Sequence, residues 1–320
     1  MEKIDLVYLW VNGNDPQWKM KKRMVLTERG EAPAPEALNK GRFVENDELK
    51  YSLRSVEMYA PWINKIWIVT DDQTPEWLNT DHPKVQMVSH RDILPAEYLP
   101  TFNSHAIEAS IPNIEGLAER FLYANDDTFF ARPTTPDFFY TSEGLPIARF
   151  ARYVPRSRSL YMTVISKARE LIYEKYGKWY RRVPHHNIDA YLKSDVVACN
   201  NEFAELVEQT RSKQFRTVDD LQRVVWLYWA VANGRAKMRI VRHYTATKSI
   251  KERIVCLLKG KYSTDSRSFG LHGRGVERRI AKYNPVLMCL NDTEHATDNC
   301  RSSMKEYLER RFPNKSSFEK

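Results

Sequence analysis

Two adjacent carboxylates, Asp126 and Asp127, follow a short apolar run, Phe121-Leu-Tyr-Ala-Asn125, and precede Thr128. A run of that kind makes a buried strand. Acids at its end lie at the carboxyl edge of a sheet, where α/β proteins hold their ligands. Two anionic oxygens held so close repel unless a cation lies between them, and a hard Mg²⁺ or Mn²⁺ carrying a diphosphate is the usual resolution. Asp-Asp after a strand also closes turns and caps the next element, so the pair alone leaves both readings open. A third carboxylate, Glu108, sits early on a helix beginning at Ser104, nineteen residues before Asp127. That interval fits a helix and a turn returning into the strand, which brings both acids to one place. Asp71-Asp72 is a second acidic pair after a strand. It ranks below the first, because no third carboxylate or histidine stands at a comparable spacing.

The elements that must position these groups are legible in outline. Ile4–Val11 is apolar enough to be a strand buried on both faces, and Asn12-Gly13-Asn14-Asp15-Pro16 is a dense turn signal after it. Met24–Lys40, charged and carrying Ala-Pro-Ala-Pro, reads as an exposed loop. Asn46–Ala60 is helical, with Leu49, Leu53, Val56 and Ala60 on one face, acids in the first turn and Pro61 after it. Strands follow at Lys65–Thr70 and Val85–Ser89, with a short helix starting at Pro75 between them. This alternation predicts an α/β fold with a mostly parallel, doubly wound, Rossmann-like sheet.

Beyond Pro133 the pattern predicts a strand at Pro146–Tyr153 and a helix at Ser159–Tyr176 closed by Gly177. It also predicts helices at Ile188–Val197, Glu202–Thr210 and Val218–Asn233, a strand at Lys237–Thr245, and a last helix with a capping box of Ser303 and Glu306. Residues 1–150 are thus expected to form the α/β core and 151–320 a mainly helical part completing it, or the two together one continuous domain. Trp226, Tyr228 and Trp229 lie in a helix apolar nearly all round, which predicts burial rather than base stacking.

A chain of 320 residues can bury a substantial core. Lys+Arg 50 against Asp+Glu 41 gives a net charge of +9, compatible with an anionic partner. Clustered carboxylates at the candidate site argue against a nucleic-acid binder. Cys199, Cys256, Cys289 and Cys300 contain no CxxC pair and read as scattered thiols of a reducing compartment rather than a zinc site or disulfide framework. The amino end lacks a basic lead and a long apolar core, and the longest apolar run, Val224–Ala232, falls far short of the roughly 20 residues of a membrane span. The expectation is a cytoplasmic protein without a transmembrane segment. Peripheral association with the inner membrane face stays open, since Arg274, Arg278 and Arg279 can meet headgroups or simply be solvated.

Taken together, the motifs resemble the Stealth-type sugar-phosphate transferases, the group holding bacterial capsular polysaccharide phosphotransferases and the eukaryotic N-acetylglucosamine-1-phosphotransferase. The resemblance is carried by IDLVYLWVNGND at 4–15, by the stretch from RFVENDELKYSLRSVEMYAPWINKIWIVTDDQTPEWL to FLYANDDTFF at 42–130, by RVPHHNID to TVDD at 182–220, and by KYNPVLMCLND at 282–292. It implies a glycosyltransferase-A-like nucleotide-binding sheet. It also implies transfer of a hexose-1-phosphate from a UDP-sugar, commonly a UDP-N-acetylhexosamine, to a hydroxyl of an acceptor glycan, with Mg²⁺ or Mn²⁺ as helper. Carried over residue by residue, it points to Glu108, Asp127, His186 and Arg216 as catalytic. Donor binding falls to Asp5, Trp10, Asn12, Gly13 and Arg158, and the metal to Asp127 with Asp126 and His186. The PHHNID segment is shorter than the animal pattern, which leaves His185 or His186 as the functional histidine. His186 is preferred because it directly precedes Asn187-Ile188-Asp189.

The chemistry suits these residue types. Phosphoryl transfer needs positioning and charge neutralisation more than covalent help. Arginines grip phosphate oxygens by two-point contacts, and Glu108 or a histidine can take the proton of the attacking hydroxyl. Each also has a plain reading: Asp5 can cap backbone groups, His186 can be a surface loop residue, and Arg216 can lie exposed ahead of a helix. A metal-dependent glycosyltransferase that attacks the sugar carbon and releases UDP is the alternative enzyme.

Overall fold

The computed structural model describes residues 2–28, 45–154, 159–241, 254, 265–272, 275–292 and 295–320. Its central sheet has the order β3-β2-β1-β4-β8, built from β1 (Ile4–Leu9), β2 (Ile66–Thr70), β3 (Val85–Ser89), β4 (Arg120–Asn125) and β8 (Asp189–Leu192). The first four run parallel, and β8 runs antiparallel to β4. The expected α/β class with a mostly parallel sheet is therefore observed. Continuous apolar runs do this because both faces are covered. Val7, Val69, Phe121 and Tyr123 point into one core with the helix α8 (Val224–Ala232), whereas Leu6, Tyr8, Ile68, Leu122 and Ala124 point into another with Leu49, Leu53 and Val56 of α2 (Glu48–Tyr59). Trp226, Tyr228 and Trp229 are buried as expected.

Register aligns the carboxyl ends of the strands. Leu9 lies opposite both Val69 and Asn125, so Trp10, Asp71 and Asp126 emerge at one edge. The chain then leaves the central sheet. After Asp126-Asp127 it enters β5 (Thr128–Phe130), the edge of a second sheet of order β10-β11-β5 with β10 (Ser266–Gly270) and β11 (Leu287–Asn291). Its core of Phe129, Phe269, Met288, Leu290, Leu308 and Phe312 is separate from the other two. Serines of α2 fix the crossing: the Ser52 hydroxyl donates to the Thr128 carbonyl at 2.5 Å, and the Phe130 amide donates to the Ser55 hydroxyl at 3.0 Å.

Several expectations are corrected. Residues 16–28 form a helix, α1, whose buried Trp18 and Val25 pack with Phe102 and Phe215. Met24–Glu28 is thus helical, and 29–40 of the expected loop lie outside the described residues. Pro75–Leu78 is a turn, not a helix. Asp189–Leu192 is a strand rather than the start of a helix, since all four residues are buried and pair with β4. The helix α6 begins only at Lys193. Val218–Arg223 is not helical, and α8 starts at Val224. The last helix, α10 (Asp298–Arg311, preceded by α9, Val276–Tyr283), is capped by Thr297, whose hydroxyl accepts from the Cys300 amide at 3.3 Å. Ser303 and Glu306 therefore lie inside it. Strands β8, β10 and β11 interleave with the helices that follow residue 150.

Asp5 lies at the amino end of β1, four residues before the carboxyl edge of that strand, a distance of about 13 Å. Its fully buried carboxylate accepts from the Asn64 amide nitrogen (2.7 Å), the Lys65 amide (3.2 Å), the Trp67 indole (2.8 Å) and the Ala118 amide (3.0 Å). That environment is a structural bracket, at the opposite end of β1 from the acids Asp126 and Asp127. Asp5→Ala strands four donors, each worth about 1–3 kcal/mol when left buried and unpaired. It should lower the denaturant midpoint by the equivalent of roughly 3 kcal/mol or more, while the molecules that remain folded keep wild-type nucleotide affinity in a titration.

Candidate functional site

Asp127 is placed by three backbone constraints. Asn125 ends β4, the Asp127 amide donates to the Asp126 carboxylate (3.0 Å), and the Asp127 carbonyl accepts from the Leu290 amide (2.9 Å). The last bond brings β11 alongside. Cys289 lies opposite Thr128, and its thiol stands 3.4 Å from the second carboxylate oxygen of Asp127. The third member is His186, in the loop between β7 (Arg182–Pro184) and β8. Its backbone carbonyl accepts from the Ser268 hydroxyl of β10 (2.8 Å), and its ring meets Tyr161 edge-on at 5.9 Å. One ligand atom from each of Asp127, His186 and Cys289 lies within 4.8 Å of the other two, and this is the metal-competent trio among the described residues. The other Asp127 oxygen is buried with no hydrogen-bond partner. A carboxylate oxygen left unpaired amid three donors is the arrangement a divalent cation completes.

The electrostatics agree. Burial raises the Asp127 carboxyl above the usual range, with His186 opposing the rise. Burial lowers the His186 imidazole, with Asp127 opposing that, and burial and Asp127 push the Cys289 thiol well up. Asp126 is not a member of the trio. Its carboxyl is raised well above the usual range by burial, then by Asp127, Glu48 and Glu45. Glu45 accepts from the Trp10 indole at 2.5 Å. Asn12 is held at both backbone groups by Gln73, at 2.9 and 3.1 Å, and Gly13 is buried beside it. Trp10, Asn12 and Gly13 thus share the strand edge with the acids.

Glu108 belongs to a neighbouring network. On α4 (Ser104–Ser110) it accepts from the Tyr123 hydroxyl and the Gln222 amide, both at 3.1 Å, with the Arg223 guanidinium 3.8 Å away. Arg223 also reaches Asp189 (2.6 Å) and the Tyr191 hydroxyl (2.8 Å). His185, fully committed, joins Asp189 (2.8 Å) to the Ser266 hydroxyl (2.5 Å). The structure therefore places His186 in the trio and His185 in the scaffold. Arg216 donates to the Ser104 hydroxyl, one helical turn from Glu108 on α4. Arg158 lies outside the described residues. The rival pair is occupied: Asp71 pairs with Lys21 at 3.1 Å, and Asp72 with Arg91.

Sequence reasoning missed Cys289, Glu45, Glu48, Arg223 and Asp189. Cys289 sits in the quoted KYNPVLMCLND block, but only the pairing of β11 with β5 brings it to Asp127. The Asp189 and Arg223 pair arises from the unforeseen strand β8.

Two family models match this chain: Stealth protein CR1, conserved region 1, over residues 2–30, and Stealth protein CR2, conserved region 2, over 42–148. The chain belongs to the Stealth family. The Asp127 turn and Glu108 fall within conserved region 2, and His186 and Cys289 beyond both matched regions. Similar relatives include an exopolysaccharide phosphotransferase of Streptomyces coelicolor, 34% identical over 99% of this chain and 57% of the relative. Another is the capsular polysaccharide phosphotransferase SacB of Neisseria meningitidis serogroup A, 30% identical over 99% of this chain and 57% of the relative. The Stealth chain thus spans little more than half the length of these relatives. Among solved structures it aligns over 98% of its length with the galactosyltransferase LgtC (96% of that chain) at 9% identity and a TM-score of 0.45. It aligns over 98% with the bifunctional glycosyltransferase WbbM (50% of that chain), at 9% and 0.48. Likenesses this distant say nothing of function.

Glu48 offers a pH test of the acid cluster. Burial first, then the Glu45 charge, raise its carboxyl from 4.5 to about 7, against hydrogen bonds from Asn46. The protonated form is favoured in the fold, so its contribution is complete below pH 4.5 and is lost as pH rises through 7. In chelator, the stability of Glu48→Gln relative to wild type should climb between pH 5 and 8 by on the order of 1–3 kcal/mol. Thermal unfolding across that range measures it, and a difference that stays flat with pH would remove Glu48 from the cluster's titration.

Proposed function

We propose that this chain transfers a hexose-1-phosphate, N-acetylhexosamine-1-phosphate, from a UDP-sugar to a hydroxyl of an acceptor glycan. The reaction forms a phosphodiester and releases UMP, in capsular or cell-surface polysaccharide synthesis. The observation that carries the reading is the Asp127–His186–Cys289 trio with its unpaired Asp127 oxygen, set at the strand edge of a family whose named relatives are polysaccharide phosphotransferases. Residues 1–150 and 151–320 act in it as one continuous catalytic domain, a reading supported by the pairing of β8 with β4.

Asp127 and His186 would hold a divalent cation, Mg²⁺ or Mn²⁺, which when bound neutralises diphosphate oxygens. The protein's own groups do the rest. Trp10, Asn12 and Gly13 line the edge where the donor nucleotide rests. Arg216 turns its guanidinium to donor phosphate oxygens, with Arg158 as the second expected clamp. Glu108 is the carboxylate available for the proton of the attacking hydroxyl, because an imidazole nitrogen committed to a cation has no lone pair to offer. Arg223 positions Glu108, and Asp189 with His185 fixes Arg223. The acceptor oxygen bonds to the phosphorus next to the sugar, and the bridging oxygen departs with UMP. The anomeric carbon–oxygen bond is untouched, so the sugar keeps the donor's configuration.

No helix among the described residues is long and apolar enough to cross a membrane.

With UDP-N-acetylhexosamine and a glycan acceptor, phosphorus NMR should show UMP and a phosphodiester product; UDP with a phosphorus-free product would establish the glycosyltransferase alternative instead. Asp127→Asn should abolish turnover without unfolding the chain, and chelator should do the same reversibly. His186→Ala should lower kcat by on the order of a hundredfold or more. His185→Ala should act chiefly on stability, through the partners it strands at Asp189 and Ser266.

A further inference from the structure

The Cys289 thiol donates to the second carboxylate oxygen of Asp127 at 3.4 Å, which sets its sulfur beside the oxygens that would hold a cation. Along β11, Met288 and Leu290 point into the core of the second sheet, whereas Cys289 points the other way, towards Asp127. The spacing is that of a shared ligand sphere. With a metal–sulfur bond of about 2.3 Å and a metal–oxygen bond of about 2.1 Å, sulfur and oxygen on one ion stand about 3.1–3.6 Å apart between right-angle and tetrahedral geometry. The observed separation is 3.4 Å. The remaining Asp127 oxygen is the one with no partner. The three side chains come from the β4–β5 turn, the β7–β8 loop and β11, and each is fixed by a backbone hydrogen bond of its own segment.

We propose that Cys289 is the third protein ligand of the cation held by Asp127 and His186, so that the site favours a thiol-accepting divalent ion such as Zn²⁺ or Co²⁺ over Mg²⁺. This rests on the reading of a divalent cation at Asp127 and His186 under the proposed function and changes the ion that the site prefers. A carboxylate, an imidazole and a thiolate form a mixed donor set, and the sulfur shifts preference from all-oxygen ions to borderline ones. Three protein ligands leave positions open for diphosphate oxygens.

Co²⁺ is the probe, added to the full chain after removal of metal by chelator. The expected result is a thiolate-to-cobalt charge-transfer band in the near ultraviolet. It should be lost in Cys289→Ser and retained in Cys256→Ser and Cys300→Ser. Cobalt affinity of Cys289→Ser should fall by about tenfold or more, since even outer-shell partners of a ligand cost that much, while Mg²⁺ affinity changes little. Cobalt bound at Asp127, as judged by its loss in Asp127→Asn, but without the sulfur band would overturn the role of Cys289 and leave the cation reading standing. Absence of any cobalt binding that depends on Asp127 would overturn both. Should Cys289→Ser not fold, X-ray absorption of the wild-type zinc complex decides: a sulfur shell at about 2.3 Å supports the proposal, and a shell of nitrogen and oxygen alone refutes it.

Discussion

One backbone hydrogen bond, from the Leu290 amide to the Asp127 carbonyl at 2.9 Å, ties the candidate site together. At Asp126-Asp127 the chain passes from a mostly parallel sheet to a separate three-stranded one. The Leu290 contact fixes the register of that second sheet against the first. A slip of one residue along β11 would turn Cys289 away and present Met288 or Leu290 to Asp127 instead. The serines of α2 hold the same crossing from the opposite side, and the Tyr8 hydroxyl meets Ser52 at 2.7 Å, so β1 is coupled to it as well. A turn that carries two acids is thereby braced by a helix, a strand of the central sheet and a strand of the second sheet. Such bracing is what a site must have if its ligands are to be held to fractions of an ångström.

Adjacent residues in the Stealth chain have opposite duties. His185 is buried, with both ring nitrogens occupied by Ser266 and Asp189, whereas His186 turns its ring towards Asp127. The chain bends at His186 and Asn187, just past the end of β7, and the two neighbouring rings serve a scaffold and a candidate ligand sphere. The scaffold continues through Arg223 to Glu108. Burial works against the Arg223 charge, but Tyr191, Asp189, Tyr123 and Glu108 hold its pKa well above the ordinary value. Removing one member would leave a buried charge without its partner, a costlier defect than the pair is worth in stability. The network therefore keeps Glu108 in one orientation rather than adding much to the stability of the fold.

The sequence displayed the central strands plainly, because β1, β2 and β4 are apolar runs buried on both faces. The helix α5 (Leu160–Tyr176) was equally plain, with Ser159 capping it and Gly177 in the left-handed region at φ 64°. β8 was not, since four buried residues after a histidine pair carry no period that separates strand from helix. Nor was α1, where only Trp18 and Val25 are buried in thirteen residues. Asp127, Glu108 and His186 could be picked out from motif spacing and resemblance. Asp5 could not be separated from them, because a buried acid that brackets backbone amides and one that meets a ligand are the same letter at the start of the same strand. Cys289 reads in the sequence as a scattered thiol without a CxxC partner, whereas the fold sets it within reach of a histidine and an aspartate contributed by other segments.

The crowding of acids at one edge has an electrostatic consequence. Asp126, Glu45 and Glu48 lie beside Asp127, and each carboxyl is raised by burial and by the charge of its neighbours. Lys305, one cation nearby, is spent on Asp47. Wherever these carboxyls are ionised the edge repels an anion, although the chain as a whole carries +9, because charge within a few ångströms outweighs charge screened by solvent at a Debye length of about 8–10 Å. Net basicity can therefore draw an anionic donor towards the protein but cannot seat it. Seating requires positive charge placed between acids and phosphate. The unpaired Asp127 oxygen is where that charge would lie under the proposed function, and the crowding of carboxylates would then make the cation a condition of donor binding rather than an accessory to it.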